Sequence, residues 1–194
     1  MFIPYSDMKW NDLEPLYRPF LKPFVLQPIP IDPAQVDALY SCLERFTGVF
    51  GGVFSGTETK RLFFIAPVLA YVSHLLPDVR LLVEENVNGS QVQASGRFEF
   101  VIRRGEKRVG IVEAKKDDMD QGMAQNLLGC EVLADVEQLP VVFGIVTDYI
   151  RWIFFRSETD CIYQHDASIE LGERDMPTKK SLKRIAGMIY SLLK

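Results

Sequence analysis

The sequence predicts an α/β domain with a central mixed sheet flanked by helices, and three observations carry that expectation. The 194 residues are 47% hydrophobic, enough for one substantial core and suited in length to a single domain. Apolar residues recur at helical spacing up to about residue 76, then switch to strand-like runs over "VRLLVEENV", "GRFEFVIRR" and "KRVGIVEA". A helix-period segment, "MDQGMAQNLLGCEVLADVE", separates these strands from "VVFGIVTDYIRWIFFRS", which reads as strand, tight turn and strand. The order is helix, three strands, helix, strand, strand.

Taken in order, residues 1–33 hold most of the 11 prolines, with Tyr5, Trp10, Tyr17, Phe20 and Phe24 between them. This stretch is expected as an extended arm that wraps the core, with residues 34–194 forming the domain proper. Asp32, Pro33 and Gln35 make a helix start, and Val36, Leu39, Tyr40 and Leu43 follow at helical spacing to about Phe46. Ser55 with Glu58 reads as a capping box for a second helix, kinked at Pro67 and stopped at Pro77. Gly105 marks the turn between strands 97–104 and 107–115. The chain closes with a strand remnant in "SIELGERDMPT" and a helix capped by Thr178, apolar along Leu182, Ile185, Ile189 and Leu192.

Composition excludes several function classes. A net charge of -4 argues against a protein that coats nucleic acid through overall charge, which leaves position-specific charge to matter. Cys42, Cys130 and Cys161 are odd in number, widely spaced and without CxxC or histidine companions, so neither a disulfide framework nor a structural zinc site is expected. The N-terminus lacks a basic start followed by an apolar stretch, so no secretory signal is visible and an intracellular place of action, cytoplasmic or nuclear, is expected. "LFFIAPVLAYVSHLL" falls short of the roughly 20 residues that span a bilayer and reads as a core helix, so no membrane partner is expected. "GVFGGVFSG" lacks the lysine and hydroxyl residue of a phosphate loop, and no G-x-S-x-G elbow supports serine chemistry.

The central hairpin, "GRFEFVIRRGEKRVGIVEAKK", places glutamates inside apolar strands. Successive strand residues point to opposite faces, so Phe98, Phe100 and Ile102 are expected on one side and Arg97, Glu99, Val101 and Arg103 on the other. Val109, Ile111, Glu113 and Lys115 share a face of the partner strand. A plain two-residue turn at Gly105–Glu106 would set Glu99 opposite Val112 and separate the acids, because a one-residue slip flips a strand. A three-residue loop or a bulge brings Glu99 opposite Glu113, and the site requires one of them. Two carboxylates so close raise each other's pKa unless a cation sits between them, and a hard oxygen pair suits Mg2+ or Mn2+. Phosphodiester chemistry is the natural use, with Lys115 orienting a water or offsetting developing charge. The structural alternative is a cross-strand ion pair on a solvated face, against which Val101, Val109 and Ile111 on the same face predict burial.

"GRFEFVI" followed by "VGIVEAKK" resembles the PD-(D/E)XK, restriction-endonuclease-like nuclease superfamily, whose core runs helix, three strands, helix, strand. "QGMAQNLLGCEVL" is similar to the glutamine-bearing helix that follows the E-x-K strand in many members, and "FGIVTDYIRWIFF" to the ensuing strand pair. Such a tail occurs in the nuclease modules of type I restriction subunits and of fungal and oomycete proteins, including Crinkler-type ones. Over residues 55–156 the resemblance implies a metal-dependent endonuclease acting on nucleic acid, with DNA favoured. Glu99 and Glu113 would ligate the metal with the main-chain carbonyl of Ala114, Lys115 would position the attacking water, and Gln125 and Glu58 would support the site. The superfamily's first acid is usually aspartate; here Glu99 stands there after Phe98 rather than proline, and the alternative is a non-cutting module, effector or regulatory, that binds nucleic acid or protein.

Around this core, Lys60, Arg61, Arg97, Arg103 and Arg104 are candidate phosphate contacts, against the commoner reading of solvated charge. Glu58 doubles as a helix-start acid, and Gln125 as a solvent-facing helix residue. Asp117, Asp118 and Asp120 read as helix N-terminal acids. The aromatic arm is a candidate docking element for a protein partner.

Overall fold

The computed structural model describes residues 3–54, 57–89 and 94–194. An eight-stranded mixed sheet runs through the molecule in the order β1-β4-β5-β6-β7-β8-β2, with β3 paired to the remaining edge of β4. The central strands are β3 (Val79–Asn88), β4 (Ala94–Arg104), β5 (Lys107–Ala114), β6 (Val141–Thr147), β7 (Arg151–Glu158) and β8 (Ile162–Ser168). β5 and β6 pair in parallel, and β3–β4, β4–β5, β6–β7 and β7–β8 are antiparallel. The parallel step needs a crossover, and α4 (Met119–Glu137) supplies it.

Helices cover both faces. On one side α2 (Pro33–Phe50), α3 (Glu58–His74) and α5 (Lys179–Leu193) pack over Phe100, Ile102, Val112, Ile145, Trp152 and Phe154. On the other, α4 packs over Val101, Ile111 and Val142 in one cluster and Val146 and Phe155 in another. Asn126 ties α4 to the sheet from within, its fully buried Nδ2 donating to Ile111 O (3.1 Å) and Ile145 O (3.2 Å). α4 begins at Asp118, whose side chain accepts from Gln121 N at 2.9 Å, the N-terminal role expected of this acidic run. Thr178 caps α5 in the same way through Ser181 N.

Several elements differ from the sequence expectation. The arm is not extended throughout: Trp10–Tyr17 form α1, an eight-residue helix that contains Pro15 and is held by burying Leu13 and by the Tyr17 hydroxyl on Glu131 Oε2 (2.7 Å). On either side of it, β1 (Ile3–Pro4) pairs in parallel with β4 and β2 (Leu21–Pro23) with β8, so one short segment clasps both ends of the sheet. α2 is capped by Asp32 on Ala34 N but continues past Phe46 to Phe50. α3 starts at Glu58 after Thr57, and the expected cap Ser55 lies outside the described residues. β8 is an additional strand: "IYQHDAS" is half-buried with little apolar alternation, and it is held by pairing with β7 and β2. Among the described residues, no helix is long and apolar enough to cross a membrane.

Candidate metal centre

The hairpin decides which side chains meet. Arg104 pairs with Lys107 and Arg103 with Arg108 across a two-residue turn, at which Gly105 takes φ +57°, a conformation suited to glycine. Continued unbroken, that register would set Glu99 against Val112. It shifts at Ile102/Arg103: Ile102 pairs with Gly110, Val101 with Ile111 and Phe100 with Val112, leaving Val109 as the extra residue of a bulge. The ladder ends there, and the same register carried one position further would set Glu99 opposite Glu113.

A second irregularity acts on the other edge of β4. Glu84 has φ +52°, and the β3–β4 ladder skips the Glu84/Glu99 position between Val83–Phe100 and Glu85–Phe98. The alternation of β4 breaks at this point. Phe98 packs with Tyr5 and Val101 on the α4 side rather than with Phe100 and Ile102, which corrects the expected face. The Glu99 carboxylate turns along the sheet toward β5, where its Oε2 accepts the Ala114 N–H at 3.3 Å.

On β5 the two-residue period holds. Ala114 joins the core beneath α2, α3 and α5, while Glu113 and Lys115 lie toward α4. Lys115 Nζ meets Glu113 Oε1 at 2.6 Å, with side chains 12% and 6% exposed. Glu58, in the first turn of α3, reaches the same region: its Oε2 accepts the Lys116 N–H at 3.2 Å. The Lys115 N–H donates to Thr147 O, fixing the end of β5 to β6.

β4 and β5 part beyond Phe100–Val112, and β1 pairs with β4 at Ala94 and Ser95. Between them opens a cavity of about 290 Å3 lined by Pro4, Tyr5, the Ser95–Phe98 stretch, Glu113 and Gln125. Glu113 Oε2 and Gln125 Oε1 are both buried there without a hydrogen-bond partner. The arm thus forms one wall, with the Tyr5 hydroxyl anchored on Val87 O.

The electrostatics show an excess of negative charge. Burial, then the neighbouring charge of Glu99, pushes the Glu113 carboxyl well above its ordinary pKa, and Lys115 does not offset them. Burial by itself would lower the Lys115 pKa, yet Glu113, Glu99 and Glu58 together leave it raised. The shifts differ in origin: burial leads for Glu113, whereas the carboxylates around the single ammonium raise Lys115. Among the described residues, no group of three or more His, Cys, Asp or Glu side chains is gathered to hold a metal, so a cation here would rely on two carboxylates and on oxygen from amide or water. The orphaned Glu113 oxygen in a cavity of this size fits such a group.

The basic candidates are dispersed. Arg97 is exposed at the cavity rim, 3.5 Å from Glu84. Arg61 is buried rather than available to a phosphate: its Nη1 donates to Asp148 O at 2.7 Å and lies 3.7 Å from Asp148 Oδ2. Arg104 binds Asp78 (2.9 Å) and Leu193 O (2.7 Å), holding the end of α5. Arg103 is half-buried at the bulge, with its Nε unpartnered. The Lys60 side chain lies outside the described residues.

Two residues near the site escaped the sequence reading. Asp148 organises the β6–β7 turn through Ile150 N (2.9 Å), Arg151 N (2.6 Å) and Arg151 Nε (2.9 Å), besides pairing with Arg61. The "TDY" turn was its only signal. Asn126 had none, since a single amide in a helical stretch reads as solvent-facing until the helix is found to be covered.

No family model matches the chain. Crinkler effector protein 5 of Phytophthora infestans is 48% identical over 164 residues, covering 84% of this chain and 47% of that protein. The chain spans about half the length of the curated relative it matches, and over most of its own length it resembles a Crinkler-type effector protein.

Proposed function

We propose that this chain is a PD-(D/E)XK-type, metal-dependent endonuclease module with DNA as its favoured substrate, acting inside a cell as part of an effector-like protein. The observation that carries the proposal is the meeting of Glu99, Glu113 and Lys115 beside a cavity into which Glu113 leaves a buried, unpartnered oxygen. Glu113 and Glu99 would hold Mg2+ or Mn2+, with the carbonyl of Ala114 added by resemblance. When bound, the ion supplies a polarised phosphoryl oxygen and an acidified water. Lys115, whose pKa the surrounding carboxylates raise against the opposing effect of burial, would orient a water and offset charge building on the phosphate. Arg97, on the cavity rim, is the described cation best placed to meet a backbone phosphate. The effector role is supported by the Crinkler-type relative, and the intracellular setting by three cysteines that are all free.

The test is cleavage of plasmid and single-stranded DNA, with an RNA arm, in Mg2+ and in Mn2+. Glu113→Ala or Lys115→Ala should each lower cleavage by about 100-fold or more. Full cleavage by both variants refutes the assignment.

A second reading, a nuclease-fold module that binds nucleic acid or protein without cutting, is favoured by the closed 2.6 Å Lys115–Glu113 pair and by glutamate at position 99. Under it the exposed Leu16 and Phe20 of the arm would face a protein partner. Calorimetry separates the two: Mn2+ binding lost in Glu113→Ala supports the enzyme, and no binding at millimolar Mn2+ supports the module.

A further inference from the structure

We infer that Gln125 is itself a ligand of the divalent cation, its Oε1 facing the same ion as Glu113 Oε2 across the cavity bounded by β1, β4 and α4. This deepens the metal-dependent reading above and rests on it. Gln125 is only 9% exposed, and its Oε1 is buried without a partner. Glu113 Oε2 is in the same condition on the same cavity. While Glu113 is ionised, two buried acceptors on one small volume cannot satisfy each other, and each is left without a partner. A cation satisfies both at once.

The surroundings favour that occupant. Glu58, Glu99 and Glu113 outnumber Lys115, so the site has charge to neutralise. At about 30 Å3 per water, the 290 Å3 cavity has room for an ion that keeps several waters, as Mg2+ and Mn2+ prefer. The helix turn that carries the amide is held in place: the adjacent Asn126 clamps this turn of α4 to β5 and β6, and Gly129 one turn further lets the helix close down on Phe98 and Ile111. A carbonyl oxygen presented from that turn completes a ligand set that has too few carboxylates on its own.

The test is calorimetric titration of the purified chain with Mn2+, supported by the Mn2+ resonance spectrum, so that activity is not the readout. Gln125→Ala and the length-matched Gln125→Met should each weaken Mn2+ binding about 10-fold, with thermal unfolding in chelator showing that the variants remain folded. Gln125→Glu should tighten binding, because a carboxylate replaces the carbonyl at the ion. Unchanged affinity in Gln125→Ala and Gln125→Met, beside loss in Glu113→Ala, overturns this inference and leaves the cation site intact. Weakened binding in Gln125→Glu also overturns it, since that result marks the amide as a donor to Glu113. Absence of binding by the wild-type chain removes both the inference and the metal-dependent reading.

Discussion

Replacing Lys115 by methionine removes the ammonium from the Glu113–Lys115 pair while keeping the length of the aliphatic stem. The two side chains are 6% and 12% exposed and 2.6 Å apart, so the substitution leaves a buried carboxylate beside Glu99 with no compensating charge. Breaking a buried pair from one side costs about 3–5 kcal/mol. For a chain of this size, about 3 kcal/mol corresponds to a fall of roughly 6–12 °C in Tm. Glu113 can escape the cost by taking up a proton, and its pKa is already raised above the ordinary 4.5 by burial and by Glu99. The folded state therefore binds this proton more tightly than the unfolded chain does. The stability linked to Glu113 is fully present below pH 4.5 and is lost as pH rises through the folded pKa. Urea unfolding in chelator should show a deficit of about 3 kcal/mol for Lys115→Met at pH 8 and a much smaller one at pH 5. The double variant Glu113→Gln/Lys115→Met should recover most of the loss at pH 8. A deficit below about 1 kcal/mol at pH 8, or one that is equal at both pH values, would refute the picture of a buried, over-acidic pair.

Arg61→Ala should lower stability by about 3 kcal/mol in urea unfolding, through loss of the buried partner of Asp148, while leaving the salt dependence of any DNA binding unchanged; a reduced salt slope would return Arg61 to the surface. Deleting Val109 removes the bulge without changing the pairing beyond it, since Gly110 stays opposite Ile102 and the register that carries Glu99 toward Glu113 is kept. Mn2+ affinity by calorimetry should then stay within about 3-fold of wild type, and a fall of about 10-fold or more in a folded deletion variant would show that the local twist of the bulge, and not register, assembles the site.

Much of the architecture is legible in the residues. β3, β4, β5, α4, β6 and β7 lie where the change from helical to alternating period places them, because periodicity is a property of contiguous backbone. α1 and β8 are not, since an eight-residue helix containing Pro15 and a polar strand such as "IYQHDAS" exist only through what packs beside them. The distribution of charge is likewise hidden: Arg61 and Arg97 look alike in the sequence, yet one is buried on Asp148 and the other lies on the cavity rim.

By itself, the sequence determined that Glu113 and Lys115 share one face of their strand with Ala114 on the other, and that a bulge or a longer loop is the condition for Glu99 to join them. Tertiary structure decided that the bulge falls at Val109, that the alternation of β4 breaks at Glu99, and that β1 and α4 close a cavity around Glu113 and Gln125. Alternation along a strand follows from local backbone geometry. Register, burial and the pairing of charges are set by partners distant in the chain, whose combined packing no short stretch contains.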